Sequence, residues 1–308
     1  MEIYLPIADL PVNIFLVLGM GLAVGFISGM FVIGGGFLMT PLLIFIGVSP
    51  AVSVATVASH IAASSFSGAI SYWRRKAVDL ALALVLLVGG VAGTIAGVWL
   101  FTVLRRIGQL DITIGLSYVI LLCSVGGLMV MESVRAILRE RSGVKTPLRR
   151  PGSHTWVHGL PAKIRFKQSR LYISAIPVCG IGFIIGFIGA IMGIGGGFLL
   201  VPMLIYVLRV PTSVVIGTSM VLTLVTMAAA TVLHAATNHL VDVVLALLLM
   251  VGGVIGAQFG ARAGQKLAAD RLRLLLGLLV VAVGLRFAVD LLITPREMYT
   301  IRAVEDSR

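Results

Sequence analysis

Charged residues are scarce in this sequence, and acidic residues are the scarcer kind. Asp, Glu, Lys and Arg together make up 12% of the 308 residues, whereas a soluble domain has about 25%. Hydrophobic residues make up 59% of the chain, and apolar stretches recur that approach or reach the roughly 20 residues needed to cross a bilayer. The composition therefore excludes a soluble fold and predicts an all-α polytopic membrane protein.

Cysteine and catalytic side-chain sets are also lacking. Cys123 and Cys179 both lie in apolar segments, which argues against an extracellular disulfide framework. His154 and His158 are four residues apart, but no carboxylate or cysteine beside them completes a metal site. No Ser-His-Asp set or close pair of catalytic carboxylates can be assembled, and neither glycine cluster is followed by the Lys-Ser/Thr of a P-loop. We expect no enzyme, no catalytic residues, no metal and no cofactor.

The basic residues are concentrated in the middle of the chain. Ten of the 24 Lys and Arg residues fall between Arg135 and Arg170. Lys and Arg accumulate in cytoplasmic loops, so membrane topology explains the net charge of +12 better than nucleic acid does; binding of anionic lipid head groups is an alternative. We predict a first transmembrane repeat over residues 1–131, a basic cytoplasmic loop over 132–171, and a second repeat with a C-terminal tail over 172–308, in the plasma (inner) membrane.

Apolar segments are arranged in two sets of five. They cover about residues 12–33, 37–48, 51–73, 79–101 and 111–131, then 172–194, 198–208, 212–236, 242–264 and 272–293. In each set a long segment ends near three glycines, and a segment of about a dozen residues follows that is too short to span upright. The shared order predicts an internal duplication.

The residues of the two sets agree as well. Gly34-Gly35-Gly36-Phe37-Leu38 recurs as Gly195-Gly196-Gly197-Phe198-Leu199, and Asp79 corresponds to Asp242. Five segments is an odd number, and the basic residues fall mostly on one side if the second copy lies upside down. We therefore predict two inverted-topology repeats with broken or short helices after the glycine motifs. The number of full crossings is smaller if the short segments are re-entrant.

The triple glycines are the candidate substrate site. Three consecutive glycines destabilise a helix by about 1 kcal/mol each, so the chain is expected to open there. Opened backbone at membrane depth must be buried in protein or line a wet cavity, and its amides can hold an anion. We predict a midplane anion site formed by Gly34, Gly35, Gly36, Gly195, Gly196 and Gly197.

Close helix packing is the alternative role for glycine. Rows of small residues at four-residue spacing allow helix backbones to approach closely. We assign this role to the rows Gly21, Gly25, Gly29; Gly89, Gly93, Gly97; and Gly252, Gly256, Gly260, Gly264.

Hydroxyl groups and one histidine lie in the third segment of each set. Thr56, Ser59, Thr218 and Ser219 fall near corresponding places, and we predict that they donate to the anion. The alternative is that they bond to carbonyls of their own helix. His60 lies well inside an apolar segment and is a candidate for proton coupling; a neutral histidine bonded between helices is the alternative.

Other polar residues are expected to have structural positions. Asp79 and Asp242 open helices, where a carboxylate is stabilised by the helix dipole, and are expected at the membrane surface. His234 and His239 lie near a helix end and are expected at the interface.

These motifs resemble a known family. The two Gly-Gly-Gly-Phe-Leu motifs with Pro41 and Pro202, together with Gly217-Thr218-Ser219, are similar to the TauE/SafE family of sulfite and organosulfonate exporters, over residues about 12–292. The resemblance implies a bacterial or archaeal plasma-membrane permease for small sulfur-containing anions. The first half departs from the pattern with Ala55-Thr56-Val57, so the two halves are not expected to contribute equally.

The sequence thus favours a secondary transporter, an exporter of sulfite or organosulfonates that works by alternating access. An anion channel and a membrane-embedded enzyme acting on a sulfur compound or lipid are the alternatives. The expected partners are a small inorganic or organic sulfur anion and the lipid bilayer, with a second copy of the chain as a further candidate and no nucleic acid.

Overall fold

Ten helices and two β-hairpins make up the described part of the chain. The computed structural model describes residues 2–31, 36–74, 76–141, 163–166, 171–204, 212–264 and 269–292. The helices are α1 (Ile14–Phe31), α2 (Gly36–Phe45), α3 (Pro50–Arg74), α4 (Leu80–Ile107), α5 (Leu110–Arg141), α6 (Ala175–Met192), α7 (Gly197–Pro202), α8 (Thr212–Asn238), α9 (Val243–Gly264) and α10 (Ala269–Leu292). Each of the ten predicted apolar segments overlaps one of these helices.

Six of the described helices are long and apolar enough to cross a membrane. They are α4, α5, α6, α8, α9 and α10, whereas α1 and α2 are apolar but shorter. The helix α3 has 25 residues but carries several hydroxyl groups and His60. The chain is a multi-pass α-helical membrane protein, as its composition predicts.

One short β-hairpin precedes the first helix of each half, and neither hairpin was predicted. Strand β1 (Glu2–Leu5) pairs antiparallel with β2 (Leu10–Asn13) directly before α1. Strand β3 (Lys163–Phe166) pairs antiparallel with β4 (Leu171–Ser174) directly before α6. Strands of four residues give little periodic signal. Strand β3 lies inside the stretch predicted as a loop, and β4 begins at the last residue of that stretch.

The first helix of each half packs against the fourth helix of the other half. Helix α1 packs along α9, and α6 packs along α4. A methyl group added to Gly25 would overlap the carbonyl oxygen of Gly253, and one added to Gly186 would overlap that of Gly90. The rows of small residues therefore permit contact between helix backbones, which confirms the packing role predicted for them.

Corresponding helices of the two halves pack antiparallel. Along α5 the contacts of Gly115, Gly126 and Val130 fall on residues Leu291, Val280 and Gly277 of α10, in descending order. The helices α3 and α8 also run in opposite directions, since Gly68 faces Met220 while Ile61 and Thr223 both lie beside Gly195. The short helix α2 packs between these elements, and seven of its ten residues are buried.

Candidate functional site

The ends of the two glycine motifs meet inside the protein. A methyl group added to Gly36 would lie 2.7 Å from the carbonyl oxygen of Ile194 and 2.8 Å from that of Gly193. Phe37 and Phe198, which follow the two triple glycines, stack with their ring centroids 4.6 Å apart. Gly34 and Gly35 lie outside the described residues. The structure thus brings Gly36 of the first motif against the backbone just before the second.

The helix is broken at the second glycine motif. Helix α6 ends at Met192, and α7 begins at Gly197. Gly193 has a φ angle of 62° and Gly195 a φ angle of 74°, a conformation that other residue types rarely adopt. The segment between the helices is buried throughout. The chain therefore opens inside the protein at the place where its glycines predict an opening.

Two carbonyl groups at this break accept hydrogen bonds, whereas the amides of Gly195 and Gly196 donate none within the described part of the chain. The Tyr118 hydroxyl donates to the Met192 carbonyl, and the Thr40 hydroxyl donates to the Gly193 carbonyl at 3.4 Å. The amides of Gly195 and Gly196 donate to no acceptor among the described residues. A buried donor without a partner costs free energy, so these amides mark a place for a water molecule or an anionic ligand.

A hydroxyl group that the sequence did not single out lies beside these amides. Thr223 of α8 is 2% exposed, and its Oγ1 atom has no partner in the described part of the chain. This atom lies 3.5 Å from the position that a methyl group on Gly196 would occupy. In the sequence Thr223 looks like every other hydroxyl of α8, because the partner of a side chain is not visible there.

The surroundings of the break are neutral and largely apolar. Side chains of Ile61 and Ile185 contact the positions next to Gly195 and Gly196. Among the residues whose side-chain burial the structure describes, no Lys or Arg is buried, and the buried carboxylates are Asp79 and Asp242. An anion at the break would therefore be held by amide and hydroxyl donors and not by a cationic side chain.

The chain matches the model of the family described as sulfite exporter TauE/SafE over residues 17–287. The chain belongs to the TauE/SafE family. A probable membrane transporter protein of Xylella fastidiosa (strain 9a5c) is 30% identical over 283 residues, which cover 89% of this chain and 94% of that protein.

Two proteins of Bacillus subtilis (strain 168) are also similar. The probable membrane transporter protein YjnA is 26% identical over 87% of this chain and 96% of its own length. The probable membrane transporter protein YunE is 23% identical over 86% of this chain and 93% of its own length. No solved structure matches the chain. The family and these relatives indicate a membrane transporter rather than an enzyme.

Two of the hydroxyls predicted as ligands connect the halves of this TauE/SafE protein. The Thr56 Oγ1 accepts a hydrogen bond from the Asp242 amide at 3.1 Å. The Thr218 Oγ1 accepts one from the Asp79 amide at 3.3 Å. The two contacts are reciprocal, since each joins a threonine of one half to the equivalent aspartate of the other. Among the described residues, neither threonine forms a hydrogen bond to the glycine break.

The two predicted serines bond to their own helices. The Ser59 hydroxyl donates to the Thr56 carbonyl at 2.6 Å, and the Ser219 hydroxyl donates to the Ile216 carbonyl at 2.8 Å. This is the alternative that the sequence left open for them. All four predicted hydroxyls thus have protein partners in this structure.

The two aspartates are helix caps, but they are buried and not at the surface as predicted. Asp79 accepts a hydrogen bond from the Leu82 amide at 3.2 Å, and Asp242 accepts one from the Leu245 amide at 3.0 Å. Asp242 also accepts the Ile7 amide at 3.0 Å, from the turn of the first hairpin. Several amide donors compensate the loss of water around a carboxylate, and this makes its burial tolerable.

His60 contacts a different helix from the one that forms the break. Its ring is 1% exposed and packs against Gly253 of α9, where an added methyl group would overlap it. The Nδ1 atom of the ring has no hydrogen-bond partner among the described residues. In the other half, Leu222 packs against Gly90 in the equivalent way. The ionisable side chain therefore occurs in the first half alone at this pair of positions.

His234, predicted near the membrane interface, is buried between helices close to the end of α8. Its side chain is fully buried, its Nε2 atom donates to the Ala190 carbonyl at 3.1 Å, and its ring meets Phe101 edge-on. His239, five residues later, is exposed. Burial of His234 follows from the packing of α6 and α4 against the end of α8.

Proposed function

We propose that this protein is a secondary transporter that exports small sulfur-containing anions, such as sulfite or organosulfonates, by alternating access. The observation that carries the proposal is the buried break at Gly193–Gly197, whose Gly195 and Gly196 amides have no acceptor in the described part of the chain. The family description as a sulfite exporter supports the class of substrate.

The donor groups at the break suit an oxyanion. Backbone amides and hydroxyl groups donate hydrogen bonds to negatively charged oxygen without placing a fixed positive charge in the membrane. An oxyanion accepts several such hydrogen bonds and needs no hydrogen-bond acceptor from the protein. The first motif, represented here by Gly36, closes the site from the other half of the chain.

Inverted repeats would supply the movement. The antiparallel packing of α5 with α10 and of α3 with α8 supports an inverted relation between the halves. In such transporters one unit rocks against the other around a central site. We place the repeats at residues 1–131 and 172–308, with the basic stretch 132–171 on the cytoplasmic side of the plasma membrane.

The predicted hydroxyls keep a part in this proposal. Ser59 and Ser219 would donate to the anion only in a conformation that releases their present carbonyl acceptors. Thr56 and Thr218 accept hydrogen bonds from amides and keep an O–H group that can donate to the anion. His60 is proposed to couple transport to protons, because its buried ring adjoins α9 and its Nδ1 atom has no partner among the described residues.

Flux through proteoliposomes tests the proposed function. We expect the wild type to move labelled sulfite or a labelled sulfonate with saturable kinetics, and Gly196→Ala to abolish this flux. The added methyl group would lie 2.6 Å from the Ile185 side chain and would fill the space beside the amides. Gly35→Val tests the first motif in the same way.

The matched control is Gly180→Ala in α6, where an added methyl group meets no atom within 4 Å. It should insert and transport like the wild type. Undiminished flux through correctly inserted Gly196→Ala would remove the break from the site. Flux that rises linearly with concentration would favour a channel.

A further inference from the structure

Hydroxyl groups in the membrane helices of this protein commonly donate to a carbonyl of their own helix. Thr94, Thr102, Thr226 and Thr231 all donate to the carbonyl four residues earlier, at 2.8 Å. Thr223 does not, although it is buried in the same helix as Thr226. A buried hydroxyl without a partner is unfavourable, and a back-bond was available to it, so its position points to an absent acceptor.

Three donors without acceptors converge at one buried place. Oγ1 of Thr223 lies 3.5 Å from the position of a methyl group on Gly196, and the Thr223 methyl group lies 3.5 Å from that of one on Gly195. The Gly195 and Gly196 amides have no acceptor within the described ranges. An acceptor seated here would satisfy hydrogen-bonding groups that the protein itself leaves unpaired.

The residue equivalent to Thr223 in the first half is apolar. The reciprocal contacts of Thr56 and Thr218 align α3 with α8, and with this alignment Ile61 corresponds to Thr223. The Ile61 side chain fills the space beside Gly36 and also contacts the position next to Gly195. The site therefore has a hydrogen-bond donor, Thr223, from the second half and a hydrocarbon side chain, Ile61, from the first half.

We propose that Thr223, with the amides of Gly195 and Gly196, forms a one-sided cradle for a monoanionic oxyanion, such as a sulfonate or hydrogensulfite. This rests on the proposed function and deepens it, since it places the anion in the second half and does not share it equally between the halves. The side chains nearest to the positions of methyl groups on Gly195 and Gly196 are Ile61, Ile185 and Thr223, so no adjacent cation compensates a second negative charge. The cost of desolvating an ion rises steeply with its charge, so dianions such as sulfate are excluded.

Ligand-induced stabilisation of the purified protein tests the cradle. The melting temperature is measured while methanesulfonate or sulfate is titrated, since a ligand of the folded state raises it. We expect methanesulfonate to stabilise the wild type and sulfate to have no effect. Thr223→Val should weaken methanesulfonate binding about tenfold or more, the size expected for one hydrogen bond to a charged group. Thr223→Ser keeps the hydroxyl and should bind as the wild type does.

Thr226→Val is the matched control, because it removes a buried hydroxyl of the same helix that already bonds to the Leu222 carbonyl. It should leave methanesulfonate binding unchanged. Without ligand, Thr223→Val should melt at the same temperature as the wild type or higher, since it deletes an unpaired polar group. A purely structural role of Thr223 would lower that temperature instead.

Three results would overturn the cradle: no binding of methanesulfonate by the wild type, equal binding by Thr223→Val, or sulfate binding as strong as that of methanesulfonate. Failure of the proposed function has a different signature. In that case methanesulfonate binds and Thr223→Val weakens it, yet proteoliposomes containing the wild type move no sulfur anion.

Discussion

A threonine in a membrane helix has a carbonyl one turn away, and whether it bonds to that carbonyl decides what else it can do. Thr223 and Thr226 are three residues apart on α8 and both are buried, but only Thr226 donates to its own helix. The amino-acid sequence alone does not distinguish these two threonines. They differ in their surroundings, since Thr223 lies beside Gly195 and Gly196, which belong to another part of the chain.

Proton coupling is tested at His60. We expect His60→Gln to transport anions but to lose the stimulation by an imposed proton gradient, because the amide side chain has a similar size and does not titrate. Among the described residues, the buried titratable groups on elements packed against α3 are Asp242 before α9, His234 on α8 and Tyr118 on α5. Flux with and without the gradient is the measurement.

His239→Gln is the control for this experiment, since His239 is exposed. It should retain the full response to the gradient. If His60→Gln responds to the gradient as the wild type does, His60 has no coupling role and is a packing residue against Gly253.

At the scale of the elements, glycine acts in two different ways. In α1 and α9 it lets two intact helices touch along their backbones, whereas between α6 and α7 it lets a helix open. The spacing of the glycines distinguishes these roles in the sequence. Isolated glycines at four-residue intervals lie on one face of an intact helix, whereas three consecutive glycines destabilise the helix.

Replacement of one glycine in α1 tests the contact with α9. We expect Gly25→Ala to lower the free energy of unfolding by about 1 to 3 kcal/mol, the usual cost of overpacking, since the methyl group would overlap the Gly253 carbonyl. Gly19→Ala in the same helix meets no atom within 4 Å and should be neutral or slightly stabilising. Thermal unfolding of the two variants compares them, and equal stability would show that α1 and α9 separate readily.

The first hairpin supplies hydrogen-bond donors to a residue that is distant in the sequence. Asp242 was expected at the surface because it opens a helix, but the turn after β1 donates the Ile7 and Ala8 amides to its carboxylate. The contact spans most of the chain. No local pattern around either residue predicts it.

For the whole molecule, the proposed inverted relation of the halves predicts which residues face each side of the membrane. We expect Ser153→Cys, in the basic stretch, to react with an impermeant thiol reagent only from the cytoplasmic side. Thr237→Cys, an exposed position at the end of α8, should react only from the opposite side. The background carries Cys123→Ala and Cys179→Ala, since these are the two native cysteines. Labelling of both sites from one side would contradict the topology.

The membrane class, the ten described helices and the place where the second glycine motif breaks a helix are readable from residue order, because they depend on local composition and on the conformational freedom of glycine. The bonds of Thr56 and Thr218 to Asp242 and Asp79, and the lack of a partner for the Thr223 hydroxyl among the described residues, follow from how the helices pack. Hydrogen-bond partners in a bilayer come from helices far apart in the chain, so the residue type gives the capacity to donate and the packing gives the acceptor.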